Sequence, residues 1–422
     1  MINRRFSPAL ALFVFLLAEV ACHSTTSPSG PHAPGGVAQL SRPLSGAELS
    51  VRDAANAFSF ALWGKLNAAQ RDTNVFVSPL SASFALGMTM NGADSVTYEQ
   101  MHAALQFGTA SLGEVNGGYR SLIALLQSLD PGVTMKIANS IWYRSGFPVL
   151  PSFIDTTKAD FGAAVQGLNF NDVPASLATI NGWVSSATNG KITSVLGSID
   201  PNAMMFLINA IYFKGSWRSK FDPALTTAST FTSSTGAAQP VQLMRRSGGF
   251  QYGETATYQA VDLAYGDSAF AMTVLLPKSG SDIETLAGSL SPATWQSVVD
   301  GMRYAEAVDL SLPKLTLTCE RKLNADLMAL GMVEPFDSNG ANFARMAAAP
   351  VGKSLYIQFV KQNSFLDINE EGTEAAAVTT VGVGTTSAPV PHIMRVDHPY
   401  IVVIRERLTG TVLFMGKIVR IP

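Results

Sequence analysis

From Ala375 to Pro391 the chain carries no charged residue, and this run opens directly from Asn369-Glu370-Glu371-Gly372-Thr373-Glu374-Ala375-Ala376-Ala377. A surface loop ordinarily carries polar punctuation and tolerates charge. Here the continuation Val-Thr-Thr-Val-Gly-Val-Gly-Thr-Thr-Ser-Ala is small and β-branched, with no proline before Pro389, which is the composition of a strand. The segment therefore reads as a loop able to become a strand. An ordinary sheet-edge strand and a low-complexity linker are the alternatives that composition leaves open.

The rest of the chain narrows the choice. Of its 422 residues 47% are hydrophobic and 14% charged, enough apolar material for a large core and too little charge for disorder. The net charge of −2 gives no electrostatic footprint for nucleic acid. Residues 1–21 read as a signal peptide, with Arg4 and Arg5 ahead of the apolar stretch Ala9 to Ala18, too short to span a bilayer. Ala21-Cys22 resembles a bacterial lipoprotein cleavage site, with Cys22 as the acylated residue; Glu19 departs from that pattern, and simple secretion is the alternative. Residues 22–46, rich in Ser, Thr, Pro and Gly from His23 onward, read as a tether. The anchored product would sit at the outer membrane or cell surface.

Residues 47–422 show no repeat and no linker and are read as one domain. Ser45-Gly46-Ala47-Glu48 fits a capping box, followed by Val51, Ala55, Phe58, Leu62 and Leu66 on one helical face. Ser78-Pro79 opens a second helix that Asn91-Gly92 stops. Met204 to Phe213 and Val308 to Leu317 read as strands, Leu323 to Leu330 as a helix ending at Gly331, and Ile401 to Ile404 with Val412 to Ile418 as a hairpin. Helices come mainly early and strands mainly late, a mixed α+β pattern.

Enzyme signatures are missing. The sequence has no GxSxG elbow, phosphate loop or dinucleotide fingerprint, and Gly382-Val383-Gly384 is followed by no helix pattern. Of the domain's histidines, His102, His392 and His398, none has metal-ligand spacing, so no metal and no cofactor is expected. Asp397-His398 has the residue types of a dyad, but strand neighbours point to opposite faces and should not address each other. Cys319, the one cysteine besides Cys22, lies in an alternating run and reads as a small buried residue without a disulfide partner.

Taken together, the segments resemble the serpins over residues 50–422. Asn74-Val75-Phe76-Val77-Ser78-Pro79-Leu80-Ser81 is similar to the family's helix B entry. Ile180-Asn181-Gly182-Trp183-Val184 with Thr188-Asn189-Gly190-Lys191-Ile192 is similar to its helix F region. Asn209-Ala210-Ile211-Tyr212-Phe213-Lys214-Gly215-Ser216-Trp217, the hinge Glu370 to Ala377, and Asp397-His398-Pro399-Tyr400 follow in family order. The resemblance implies a fold of three β-sheets and about nine helices, with an exposed reactive-centre loop near residues 370–391. It implies suicide inhibition by a monomer: a protease attacks the loop, forms a covalent acyl-enzyme, and is trapped when the cut loop inserts into the large sheet. Ladder hydrogen bonds at about 1 kcal/mol each over a dozen or so residues would supply roughly 10–20 kcal/mol, more than a typical domain's whole stability.

Alternation along the strand makes the set buried on insertion Thr373, Ala375, Ala377, Thr379, Val381, Val383 and Thr385. All are small or β-branched and none is charged, which favours an inhibitor over a serpin fold used only for binding. The alternate set, Glu374 included, can stay in solvent. By resemblance, Lys314 partners Glu370 and Trp217 packs at the breach above the sheet; read alone, these are solvated charges and an ordinary core tryptophan. Ser78, Ser81 and Asn209 match the polar shutter, with Gln362 where the family has a histidine, which puts any pH dependence of opening in question. Family spacing places the reactive bond at Thr386-Ser387, and counting from Pro399 moves it toward Ala388, so the register spans Thr385 to Ala388. A small neutral primary residue points to elastase-like or subtilisin-like serine proteases, with papain-like cysteine proteases as the cross-class alternative.

Overall fold

The computed structural model describes residues 36–200, 202–373 and 390–422. The elements in chain order are α1 Gly46–Ala69, β1 Val75–Val77, α2 Pro79–Met90, α3 Ser95–Ala104, α4 Leu112–Ser128, β2 Val133–Arg144, α5 Pro151–Phe161, β3 Ala164–Leu168 and α6 Val173–Ala187. Then come β4 Met205–Ser216, β5 Thr227–Thr232, β6 Ala238–Glu254, β7 Tyr258–Tyr265, β8 Phe270–Pro277, α7 Ile283–Ser289, α8 Pro292–Gly301 and β9 Arg303–Pro313. The chain closes with β10 Leu315–Lys322, α9 Asn324–Met328, β11 Lys361–Ile368, β12 Gly372–Thr373, β13 His392–Arg395, β14 Tyr400–Glu406 and β15 Val412–Ile418. Among the described residues there are thus nine α-helices and three sheets, the α+β architecture expected.

Local chemistry accounts for the best-defined elements. The Ser45–Glu48 capping box starts α1, and Arg42 grips the Glu48 carboxylate with both guanidinium nitrogens. Val51, Phe58, Leu62 and Leu66 are completely buried along one stripe. Ser78 caps α2 with Pro79 at its first position, and Asn91 closes it. The hairpin of β14 and β15 turns through Gly410, whose φ of +74° suits glycine.

Two expected elements differ. Val308 to Leu317 is not one strand: β9 ends at Pro313, and Lys314, whose N–H is spent on Gln242 O at 2.9 Å, begins the crossing to β10 in another sheet. Apolar alternation runs through the crossing, so period alone could not find it. The helix at Leu323 is shorter than expected, Asn324–Met328, and Gly331 at φ +95° comes after it.

The nine-stranded sheet has the order β1-β15-β14-β8-β7-β6-β9-β13 with β5 on β6. The four-stranded sheet, β12-β4-β2-β3, and the ribbon β10-β11 matter most for the site. β4 is paired with β2 from Met205 to Gly215, yet on its other side only the two residues of β12 are paired to it. Among the described residues no ladder joins β4 to β11. Between the lower half of β4 and the approach to β11 lies a cavity of about 160 Å³, with Ala82 and Leu86 of α2, Leu207 of β4, and Phe343, Met346 and Phe359 in its walls.

Candidate functional site

The site is the slot between β4 and β11 together with the segment that leaves β11 and hooks over its upper end. After Ile368 the chain makes a tight turn. The Asn369 side-chain oxygen accepts from the N–H groups of Glu371 (3.0 Å) and Gly372 (3.3 Å), and an Asn369–Gly372 bridge closes the reversal. Gly372 and Thr373 then pair with Ser216 and Gly215. Gly372 has φ +152°, and a Cβ there would fall 2.2 Å from Gly215 O, so both torsion and space require glycine.

The turn is held at every residue. Trp217 donates its indole N–H to Asn369 O (2.9 Å) and its backbone N–H to Glu371 O (2.9 Å), and Phe221 N–H donates to Glu370 O (3.0 Å). Lys220 pairs with Glu371. Lys314 Nζ lies 2.8 Å from the Glu370 carboxylate, which also accepts from the Thr226 hydroxyl at 2.8 Å. Burial works to raise the Glu370 pKa, but Lys314, its own backbone N–H and Thr226 together hold it below the ordinary carboxylate value. Trp217 is stacked on Tyr265, ring centroids 4.5 Å apart.

Below the slot's midpoint a polar chain crosses the core. Ser78 Oγ donates to Leu413 O (2.7 Å), and Ser81 N–H donates to Ser78 Oγ (3.3 Å). The Ser81 hydroxyl donates to Asn209 Oδ1, whose amide donates to Asn139 Oδ1 (2.8 Å), and Asn139 donates to Phe161 O (3.0 Å). Gln362 clamps the Ser78 backbone from both sides, accepting its N–H at 2.9 Å and donating to its carbonyl at 2.8 Å. The four polar residues singled out in the sequence are therefore adjacent, and Gln362 makes two amide bonds that do not titrate.

The faces of β4 are distinct. Leu207, Ile211 and Phe213 join the main core, whereas Phe206, Ile208 and Ala210 pack in apolar clusters with Ile180 and Val184 of α6. The outer face beside the lower slot is thus covered by α6. Solvent on that side of β4 is open only toward the slot's upper end, beyond the α6 contacts.

Asp397 and His398 do meet, against expectation. They lie in a bend between β13 and β14, not on a strand, and His398 Nδ1 is 3.0 Å from Asp397 Oδ1. The other ring nitrogen faces Pro277 O at 2.9 Å, which leaves no imidazole nitrogen for a nucleophile. Cys319 is half-buried, and burial pushes its thiol pKa up. Among the described residues no cluster of His, Cys, Asp and Glu could hold a metal, and no helix is long and apolar enough to cross a membrane. Cys22, the hinge residues Glu374, Ala375, Ala376 and Ala377, and the reactive-bond span Thr385, Thr386, Ser387 and Ala388 lie outside the described residues.

Sequence reasoning missed Tyr265, Asn369, Thr226 and Asn139. Asn369 carried a readable signal, an Asn ahead of Glu-Glu-Gly that fits a side-chain-capped turn. The other three are single residues whose partners are remote in sequence.

Among the described residues, then, β4 and β11 are linked only at one end, through the turn at Asn369 and the short pairing of Gly372 and Thr373 with β4. Comparison identifies the family: the model for serpin (serine protease inhibitor) matches residues 53–421, and the chain belongs to the serpin family. It is 30% identical over 374 residues to an uncharacterized serpin-like protein of Methanosarcina acetivorans, covering 88% of this chain and 86% of that one. The native state of the thermophilic serpin tengpin superposes with TM-score 0.80 at 27% identity, covering 90% of this chain and 96% of tengpin. Human thyroxine-binding globulin complexed with thyroxine does so with TM-score 0.80 at 25% identity, covering 89% and 99%.

Proposed function

We propose that this serpin is a suicide inhibitor of serine proteases with small primary pockets, elastase-like or subtilisin-like, acting by loop cleavage and insertion between β4 and β11. One observation carries the reading: Gly372 and Thr373, where the hinge begins, pair with β4, and Gly372 bridges Asn369 at the end of β11. Continuing the Thr373–Gly215 pairing residue by residue sets Ala375 opposite Phe213, Ala377 opposite Ile211, Thr379 opposite Asn209 and Val381 opposite Leu207. Continuing the Asn369–Gly372 bridge along β11 sets the same residues opposite Leu366, Ser364, Gln362 and Val360. In both registers the uncharged set would fall on the core face, a reading supported by the burial of Leu366, Ser364 and Thr373.

The other face fits as well. Glu374 would come opposite Lys214, and Gly382 opposite Phe206, whose ring is already packed against Phe170 and Phe359. A side chain would have little room there, which gives a reason for glycine in a segment otherwise suited to a strand. β4 begins at Met205, opposite Val383 in this register. The ladder would end three residues before the proposed Thr386-Ser387 bond, so a protease attached at that bond would be drawn to the slot's lower end. Lys314–Glu370 and Trp217 would act as the breach and Ser78, Ser81, Asn209 and Gln362 as the shutter.

Incubation of the protein with pancreatic elastase, subtilisin and papain, read on a denaturing gel, tests this. The expected result is a stable band at the summed mass with elastase or subtilisin, activity being lost near equimolar ratio. Cleavage without that band would favour the second reading, a binding role like that of thyroxine-binding globulin, which carries a ligand on the same fold. Thr386→Arg should redirect inhibition toward trypsin; cleavage mapped outside Val383 to Pro389 would overturn the register. We further propose that the protein is exported as a monomer and lipid-anchored through Cys22. Incorporation of a labelled fatty acid, lost in Cys22→Ser, is the expected result, and an unlabelled secreted product would contradict it.

A further inference from the structure

Tyr265, the last residue of β7, belongs to none of the sequence motifs, yet it sits directly beneath the hinge. It is completely buried. Its ring lies nearly flat on Trp217 and edge-on to Phe213 at 5.1 Å, and it forms the floor under Gly215, where a Cβ would fall 2.8 Å from the ring. From this apolar box the hydroxyl reaches Thr373 Oγ1 at 2.6 Å. Burial pushes the phenol pKa up, so the hydroxyl keeps its proton. Thr373 is also the second and innermost of the two hinge residues paired to β4. A slip of one residue would present either Gly372, with no side chain, or Glu374, whose carboxylate would be buried among aromatic rings without a partner.

We propose that the Tyr265 hydroxyl is a positioning group for the inhibitory reaction: by bonding Thr373 it fixes the face and register from which the inserted strand grows. This rests on the inhibitory reading above. After attack, insertion competes with hydrolysis of the acyl-enzyme. A hinge that starts one rung deep and correctly phased extends without first searching for its register. Losing the bond slows the productive branch only, so more inhibitor is cleaved and released per protease trapped. A neutral buried hydrogen bond corresponds to about a fivefold change in such a ratio.

The test is a double-mutant cycle of Tyr265→Phe and Thr373→Val, with Thr373→Ser as the rescue. Tyr265→Phe keeps the ring and therefore the packing on Trp217 and Phe213. The readouts are inhibitor consumed per protease inactivated and the thermal midpoint of the intact protein. The expected result is that each single variant raises consumption about fivefold, that the double variant is no worse than either, and that Thr373→Ser behaves as wild type. Additive effects, or Thr373→Ser as poor as Thr373→Val, would overturn the proposal. If the wild type traps no protease, the inhibitory reading fails, and the cycle on the thermal midpoint still decides the contact: a non-additive loss supports hinge positioning by Tyr265 and an additive one refutes it.

Discussion

At its upper end the slot between β4 and β11 is closed by the hinge, and every polar group of the turn is matched: Glu370 by Lys314 and Thr226, Glu371 by Lys220, Thr373 by Tyr265. At its lower end the same two strands stand apart around a cavity of about 160 Å³. Of the four buried side-chain atoms without a hydrogen-bond partner among the described residues, two, Asn363 Oδ1 and Ser364 Oγ, belong to β11, just beyond the Lys361 and Gln362 that line the cavity. Interiors close-pack and pair their polar atoms wherever they can. The contrast teaches that incompleteness in this fold is local. Insertion would begin where contacts are already satisfied and proceed into the region where they are not.

The largest effect should come from moving one charge between faces. Ala375→Glu would place a carboxylate against Phe213 on the core side of the slot, costing several kcal/mol, and should convert the inhibitor into a cleaved substrate with no trapped complex. Glu374→Gln, one residue earlier on the opposite face, should leave trapping nearly intact. Equal behaviour of the pair on a denaturing gel would break the assignment of faces.

A smaller effect is expected at the upper end itself. Lys314→Ala removes the ammonium from Glu370 and should loosen the hinge by about 1 kcal/mol, since the lysine is partly exposed. Because the Glu370 pKa is held below its ordinary value, the anchor is fully present above the normal carboxylate range and is lost as pH falls through the depressed value. Trp217 fluorescence followed on acidification should report that release, at higher pH in Lys314→Ala than in wild type. The Gln362 shutter, whose bonds do not titrate, should add no transition near neutrality; one found there and abolished by Gln362→Ala would contradict the account. The smallest change lies outside the slot. Tyr400 is completely buried and its hydroxyl has no partner among the described residues, so Tyr400→Phe should stabilise the intact protein by about 0.5 kcal/mol, seen as a rise of about 1 °C in thermal midpoint.

How much of this was readable in advance follows from where the partners lie. Lys314 with Glu370, and Ser78, Ser81 and Asn209 with Gln362, could be named by resemblance to the family, and the structure places the members of each group in contact. The capping box of α1 and the Ser78-Pro79 start of α2 were legible because caps are local. Tyr265 was not, because its meaning comes from Gly215 and Thr373, both remote in sequence. Pro313-Lys314 hid a change of sheet inside unbroken alternation. The Asp397–His398 contact was missed because a strand was assumed where the chain bends, and the cover of α6 over β4 is a tertiary fact that strand alternation cannot express.

The inhibitory mechanism depends on the slot accepting the cleaved loop as a strand. Thermal unfolding of intact protein beside protein cut within Val383 to Pro389 tests it most directly. Ladder bonds worth roughly 10–20 kcal/mol should raise the midpoint by roughly 10–25 °C in a domain of this size. An unchanged midpoint after complete cleavage would mean that the slot stays empty, and the inhibitory mechanism would have to be abandoned.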